Sequence, residues 1–144
     1  MHRNILIATD GSELAGRAVT AGFGLAKALG ARVTVVTVTE PWSAMVIGEP
    51  ALVFPLDDYE KAAAENANRI LAGVASEARE AGVACETVHA SDFPAEGIIA
   101  TAKDRNCDLI VMASHGRRGL SKVILGSQAS RVLALSTVPV LICR

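Results

Sequence analysis

Short apolar runs alternate with stretches of helical spacing from one end of this chain to the other, and that alternation restricts it to an α/β domain on a mainly parallel sheet. Arg3 to Thr9 is a short apolar strand. Ser12 to Leu29 is a helix, with Ser12 as N-cap, Glu13 in the first turn and Gly30 as its stop. Arg32 to Thr39, rich in valine and threonine, is a second strand. Pro41 to Asp57 carries Pro41, Pro50, Pro55 and Gly48 among exposed-looking apolar residues, and is the longest irregular segment. Asp57 to Ala81 reads as the longest helix, closed by Gly82, and Ala84 to Ala90 as the third strand. Asp92, with Pro94 at the first helical position, opens a helix to about Asp104. Cys107 to Ala113 is the fourth strand, Ser127 begins another helix, and Val138 to Cys143 is the last strand. Pro139 cannot donate to a ladder, which places that strand at an edge. The chain shows no internal repeat, low-complexity tract or second domain, so residues 1–144 are read as one domain.

A chain of this length can bury about 68 to 70 per cent of its unfolded surface, and 51% of its residues are apolar. Its formal net charge of −1 gives no general pull towards nucleic acid or an acidic membrane. Any affinity for anions is therefore local. The apolar run at the N-terminus is too short for a signal-peptide core, and none approaches the roughly 18 residues of a spanning helix, so a cytoplasmic location is expected. Cys85, Cys107 and Cys143 have no CxxC spacing and read as reduced, mostly buried thiols rather than a metal site.

The strongest functional signal is Met112-Ala113-Ser114-His115-Gly116, followed after a nine-residue spacer by Gly126-Ser127. Two glycine-bearing turns stand between a buried strand and a helix start. Glycine permits positive φ and close approach of a ligand, and a helix N-terminus offers unpaired N–H groups to an anion. Arg117, Arg118 and Lys122 lie in the spacer. They are either a solvated loop or part of an anion site, and their place beside the glycines favours a polyphosphate. A second polar exit, Ala8-Thr9-Asp10-Gly11, follows the first strand. If strands one and four are neighbours, the two exits face each other across one crevice. Asp10 is either a cap for the following helix or a group that meets a ribose hydroxyl or a magnesium ion.

Other chemistries fit less well. Gly11 to Ala18 has Walker A glycine spacing, but Arg17 and Ala18 replace the lysine and hydroxyl that would hold phosphate and magnesium. Gly22-Phe23-Gly24 falls inside a helix and is better explained by close packing on the sheet. Ser114 stands where a hydrolase nucleophile would, yet residues 117–144 contain no Asp, Glu or His to complete a triad. His115 is expected to bond the local backbone, and no residue is assigned a catalytic role.

Ile5 to Ser12, Phe93-Pro94-Ala95 with Ile98-Ile99, and Val138 to Ile142 together resemble the universal stress proteins, and the resemblance covers essentially the whole chain. Residues 113–127 are its most specific part. The ATP-binding branch carries glycine, two residues, glycine, nine residues, then glycine and serine or threonine; here Gly116, Gly126 and Ser127 match, and Ala113 replaces the first glycine. The resemblance implies a Rossmann-like, adenine nucleotide alpha hydrolase-like fold: an open five-stranded sheet of order 3-2-1-4-5 with helices on both faces. It implies that Ala8, Thr9 and Asp10 line a bound ATP and that the Val38 backbone meets the adenine. Met112, Ala113 and Gly116 would flank ribose and phosphates with Arg117 nearby, while Gly126, Ser127, Gln128 and Ala129 hold the phosphates through hydroxyl and backbone N–H groups. Magnesium would accompany the nucleotide at Asp10. A homodimer through Val138 to Cys143 is also implied, which removes an unpaired edge. The expected role is a nucleotide-responsive stress or regulatory module acting on a protein partner that the sequence does not name. A slow ATPase and a dimeric interaction protein that binds no nucleotide are the alternatives, the latter favoured by Ala113.

Overall fold

The computed structural model describes residues 1–41, 55–116 and 124–144. The irregular segment from Trp42 to Phe54, and the spacer residues Arg117, Arg118 and Lys122, lie outside the described residues. The elements are β1 (Asn4–Ala8), α1 (Glu13–Leu29), β2 (Arg32–Thr39), α2 (Leu56–Ala81), β3 (Cys85–Ser91), α3 (Pro94–Asp104), β4 (Leu109–Ala113), α4 (Ser127–Leu135) and β5 (Val140–Cys143). The strands form one five-stranded sheet in the order β3-β2-β1-β4-β5, parallel at every pairing. The expected order is therefore the observed one, and β1 does lie beside β4.

Strand alternation splits the core into two layers. Ile5, Ile7, Val33, Val35 and Val111 face α1 and α2, whose Val19, Phe23, Leu71 and Val74 cover them. Leu6, Ala8, Val36, Ile110 and Met112 face α3 and α4, against Ile98, Ala102, Ala129 and Val132. Gly22 lets α1 approach the sheet, since a Cβ there would stand 2.4 Å from Ile7 Cδ1. The packing reading holds for Gly22 and not for Gly24, where an added Cβ would meet nothing within 4 Å. Ser12 caps α1 as expected, its Oγ accepting the Ala15 N–H at 3.3 Å, and Gly30 ends it at φ 65°.

Two local expectations shift. Asp92 is not the cap of α3: Phe93 occupies that position, and the Asp92 carboxylate accepts the Phe93 N–H at 2.7 Å instead. Val138 and Pro139 precede β5 rather than belonging to it. The Pro139 carbonyl still accepts the Ile110 N–H at 3.0 Å, so the residue enters the ladder only as an acceptor on the edge strand.

Candidate functional site

Parallel strands deliver their exits to one pole of the sheet, and β1 and β4 are register partners from Ile5↔Leu109 to Ile7↔Val111. Beyond β1, the Thr9 N–H donates to the Val36 carbonyl at 3.0 Å, so the backbone stays pinned to β2 before it turns. The turn is made by Gly11 at φ 81°, in the left-handed region that favours glycine. Asp10 Oδ1 accepts the Ser12 N–H at 2.9 Å and Thr9 Oγ1 the Gly11 N–H at 3.2 Å. Asp10 is thus not itself the cap of α1, which is Ser12, but it holds the backbone of that capping residue. Its other oxygen, Oδ2, lies 2.8 Å from where a Cβ on Gly116 would stand, which brings the two strand exits into contact.

The exit of β4 is held as firmly. The Ser114 N–H donates to the Cys143 carbonyl at 2.8 Å, and the Ser114 carbonyl accepts the Gly126 N–H at 2.8 Å. A Cβ on Gly126 would lie 2.6 Å from that carbonyl oxygen. Gly126 has φ −61°, and positive φ among the described glycines belongs to Gly11, Gly30 and Gly82. Close approach therefore explains Gly116 and Gly126; positive φ does not. The His115 Nδ1 pairs with the Ser114 hydroxyl at 3.0 Å.

Gly126 is the N-cap of α4, and it has no side chain with which to cap. The other helices treat their N-termini differently. α1 has Ser12 and Glu13, α2 has Asp57 and Asp58 in its first turn, and α3 has Glu96 together with an Ala95 N–H that donates to Gln128 Oε1 at 3.3 Å. The first turn of α4 holds no acidic residue and no side-chain cap. Its N–H groups and positive end face the pole where β1 and β4 exit, an arrangement suited to an anion.

The expected site residues separate into layers. Ala8, Met112 and Ala129 form part of the buried α3/α4 layer, and half-buried Val38 packs against it. Thr9 is buried, Gly116 and Gly126 border the exits, and Ser127 and Gln128 are exposed on α4. Ala113 belongs to the opposite layer, packed with Ile5, Ile7 and Val111, so its methyl points away from α3 and α4. Arg117 lies outside the described residues. Among the described residues, no three His, Cys, Asp or Glu side chains gather as a metal-ligand set.

Two features escaped the sequence reading. An open cleft of about 350 Å³ runs between α1 and α2, reaching Thr9, Gly11 and Ser12 and bordered by Asn66, Arg69 and Glu77. It requires residues more than fifty positions apart, and no motif marks it. A larger depression of about 630 Å³ lies at the opposite pole among Arg3, Asn4, Arg32, Arg105 and Asp108. There α1 and α3 end, and the Arg105 guanidinium pairs with Glu86. Asn4 Nδ2 donates to the Arg105 carbonyl at 2.6 Å, tying strand and helix end together.

A doubly wound parallel sheet, with a crevice where the order reverses at β1 and β4 and a helix without a side-chain cap aimed at it, defines a Rossmann-like α/β protein. The sequence model of the universal stress protein family matches residues 1–144, and the chain belongs to that family. It is 32% identical over its whole length to the universal stress protein YxiE of Bacillus subtilis, all of which is covered. It is 36% identical, again with both chains fully covered, to a Thermus aquaticus universal stress protein encoded beside a QAH/OAS sulfhydrylase. Its fold is similar to that of MJ0577 from Methanocaldococcus jannaschii, a protein whose biochemical function was assigned from its structure, at TM-score 0.85 and 25% identity over 99% of this chain and 96% of that one. Two further folds are shared at lower identity. A universal stress protein in complex with cAMP matches at TM-score 0.72 and 22% identity, over 99% of this chain and 97% of that one. One from Archaeoglobus fulgidus in complex with dAMP matches at TM-score 0.65 and 20% identity, over 100% and 98%. Among the described residues, no helix is long and apolar enough to cross a membrane.

Proposed function

We propose that this chain binds an adenine nucleotide, ATP, across the carboxyl ends of β1 and β4, and acts as a nucleotide-responsive stress or regulatory module. The observation that carries this reading is the first turn of α4, which has neither side-chain cap nor acidic residue and is pressed by Gly126 directly onto the β4 exit. Related proteins of the same fold hold cAMP and dAMP, so adenine and phosphate suit the architecture. In this reading Ser127, Gln128 and Ala129 offer backbone N–H groups, and Ser127 its hydroxyl, to the phosphates. Gly116 leaves room beside Asp10, Arg117 adds positive charge, and Val38 borders the adenine. Asp10 is the carboxylate that a magnesium ion carried by the nucleotide would use, and such an ion would neutralise phosphate charge. The Ala113 methyl lies in the α1/α2 layer, away from the first turn of α4, and this supports the reading. The same proposal includes a cytoplasmic homodimer paired through Val138 to Cys143.

Calorimetric titration of the stripped protein with ATP, with and without magnesium, tests the reading. Saturable binding of about one ATP per chain is expected, with no phosphate released. Absence of binding refutes it, and released phosphate replaces the regulatory module with an ATPase.

A further inference from the structure

The first turn of α4 has two connections. Its backbone faces the strand exits, and the Gln128 side chain reaches across to α3, where Oε1 accepts the Ala95 N–H at 3.3 Å. A backbone amide can only donate, so the carboxamide must present its oxygen there. Pro94 has no N–H, and the Gly97 N–H is bonded to the Phe93 carbonyl at 2.8 Å. Gln128 is thus the acceptor for Ala95 among the described residues. One turn further along α4, Arg131 Nε donates to Glu96 Oε1 at 2.6 Å, and this hydrogen bond is the foremost cause holding the Glu96 carboxyl below the usual range. Residues three apart share one helix face, so both ties lie on the same side of α4.

The start of α3 is pinned on its far side as well. A Cβ on Gly97 would stand 2.8 Å from Val38 Cγ1, so the helix lies directly on the exit of β2. Contacts therefore run from Val38 through Gly97 and Ala95 to Gln128, joining the two ends of the site. The Arg131 and Glu96 side chains are 58% and 32% exposed, and an ion pair so open to water contributes little by itself. Gly126 already seats the turn on the β4 exit, and the neutral carboxamide contact is the tie that holds its other side against α3.

We propose that Gln128 is a positioning residue: its side chain fixes the first turn of α4 against α3, and so sets the spacing between the phosphate-facing end of the site and the Val38 end. This rests on the nucleotide reading above. A displaced turn misaligns its N–H groups from the phosphates and leaves the adenine end as it was, so Gln128 governs affinity for the phosphorylated part of the ligand.

The test compares the full chain with its Gln128→Met variant, which keeps side-chain length and removes the acceptor. In ligand-free protein, exchange of the Ala95 amide rises at least about tenfold while the core-strand amides stay protected. Gln128→Glu supplies an acceptor again and restores that protection. Unchanged exchange in Gln128→Met overturns the contact whatever the ligands do. On titration with ATP and with adenosine, the methionine variant loses about tenfold in ATP affinity and less than about twofold for adenosine. Equal losses for both ligands, or ATP affinity retained despite faster Ala95 exchange, overturn the positioning role alone. A wild-type chain that binds neither ligand overturns the nucleotide reading and this inference with it.

Discussion

Gly126→Ala tests whether steric contact, rather than backbone conformation, explains the second motif glycine. Its φ of −61° and ψ of 155° suit any residue, so conformation alone predicts a harmless change. The added methyl would, however, stand 2.6 Å from the Ser114 carbonyl oxygen, where ordinary contact begins at 3.4 Å. The start of α4 must retreat by about 0.8 Å, which stretches the 2.8 Å bond from the Gly126 N–H to that same oxygen beyond useful range. Overpacking without relaxation costs about 1–3 kcal/mol. Relaxing it leaves a carbonyl unpaired at the exit of a buried strand, which costs about the same. A net loss of about 2 kcal/mol lowers the melting temperature by about 4–8 °C at this chain length. Gly73→Ala is the control. It lies inside α2 with nothing within 4 Å of the added Cβ, and exchanging glycine for alanine there raises stability by about 0.5–1 kcal/mol. Differential scanning calorimetry of the two variants decides the matter. A Gly126→Ala protein that melts within about one degree of wild type refutes the steric account. Because Gly126 is structural, loss of binding on mutating it says nothing certain about phosphate contacts; Ser127→Ala addresses those more directly.

Leu141 on the edge strand β5 is 41% exposed, so Leu141→Asp should yield monomers by sedimentation if the last strand forms the dimer. Persistent dimers place the interface elsewhere. Burial pushes the thiols of Cys85, Cys107 and Cys143 up, with the Thr34 hydroxyl pulling Cys107 partly back. A thiol whose folded pKa is raised favours folding below its unfolded value, and that contribution is lost as pH climbs through the folded value. The melting temperature should therefore fall from about pH 8.5 upward, and native alkylation should lag far behind that in denaturant; a flat profile with rapid alkylation of all three refutes this.

Where a single segment decides its own state, the sequence was sufficient. Arg32 to Thr39 became β2 with those ends, because a valine- and threonine-rich run between Gly30 and Pro41 has no competing local structure. Ser12 capped α1 and Pro139 stayed at an edge for equally local reasons. Sequence spacing failed where two distant segments meet. The contact of Asp10 with Gly116, the fit of Gly126 on Ser114 and the bond from Ala95 to Gln128 each require the finished fold. Glycine's most familiar property, tolerance of positive φ, therefore pointed to the right positions for an incomplete reason. Which layer the Ala113 methyl joins was legible in principle, since it shares strand parity with Leu109 and Val111.

One local signal for the site was present and easily overlooked. Acidic residues open α1, α2 and α3 in the sequence itself, as Glu13, Asp57 with Asp58, and Glu96, while Ser127-Gln128-Ala129 opens α4 with none. A carboxylate in a first turn is favoured by about 0.3–1 kcal/mol, so a helix without one forgoes inexpensive stabilisation. Packing does not require the omission, because Ser127 and Gln128 are exposed and could carry a charge at no steric cost. A carboxylate at either position would, however, repel an anion arriving at the same N–H groups. Glu96 at the neighbouring α3 start shows that this pole tolerates a carboxylate where Gln128 and Pro94 have already closed the helix end. Two N-termini on one face are thus treated in opposite ways, one satisfied from within the chain and one with neither an acidic residue nor a side-chain cap. Substituting Ser127→Glu would convert the second into the first: the protein should become slightly more stable and lose affinity for ATP, a pairing of effects that damage to the fold cannot produce.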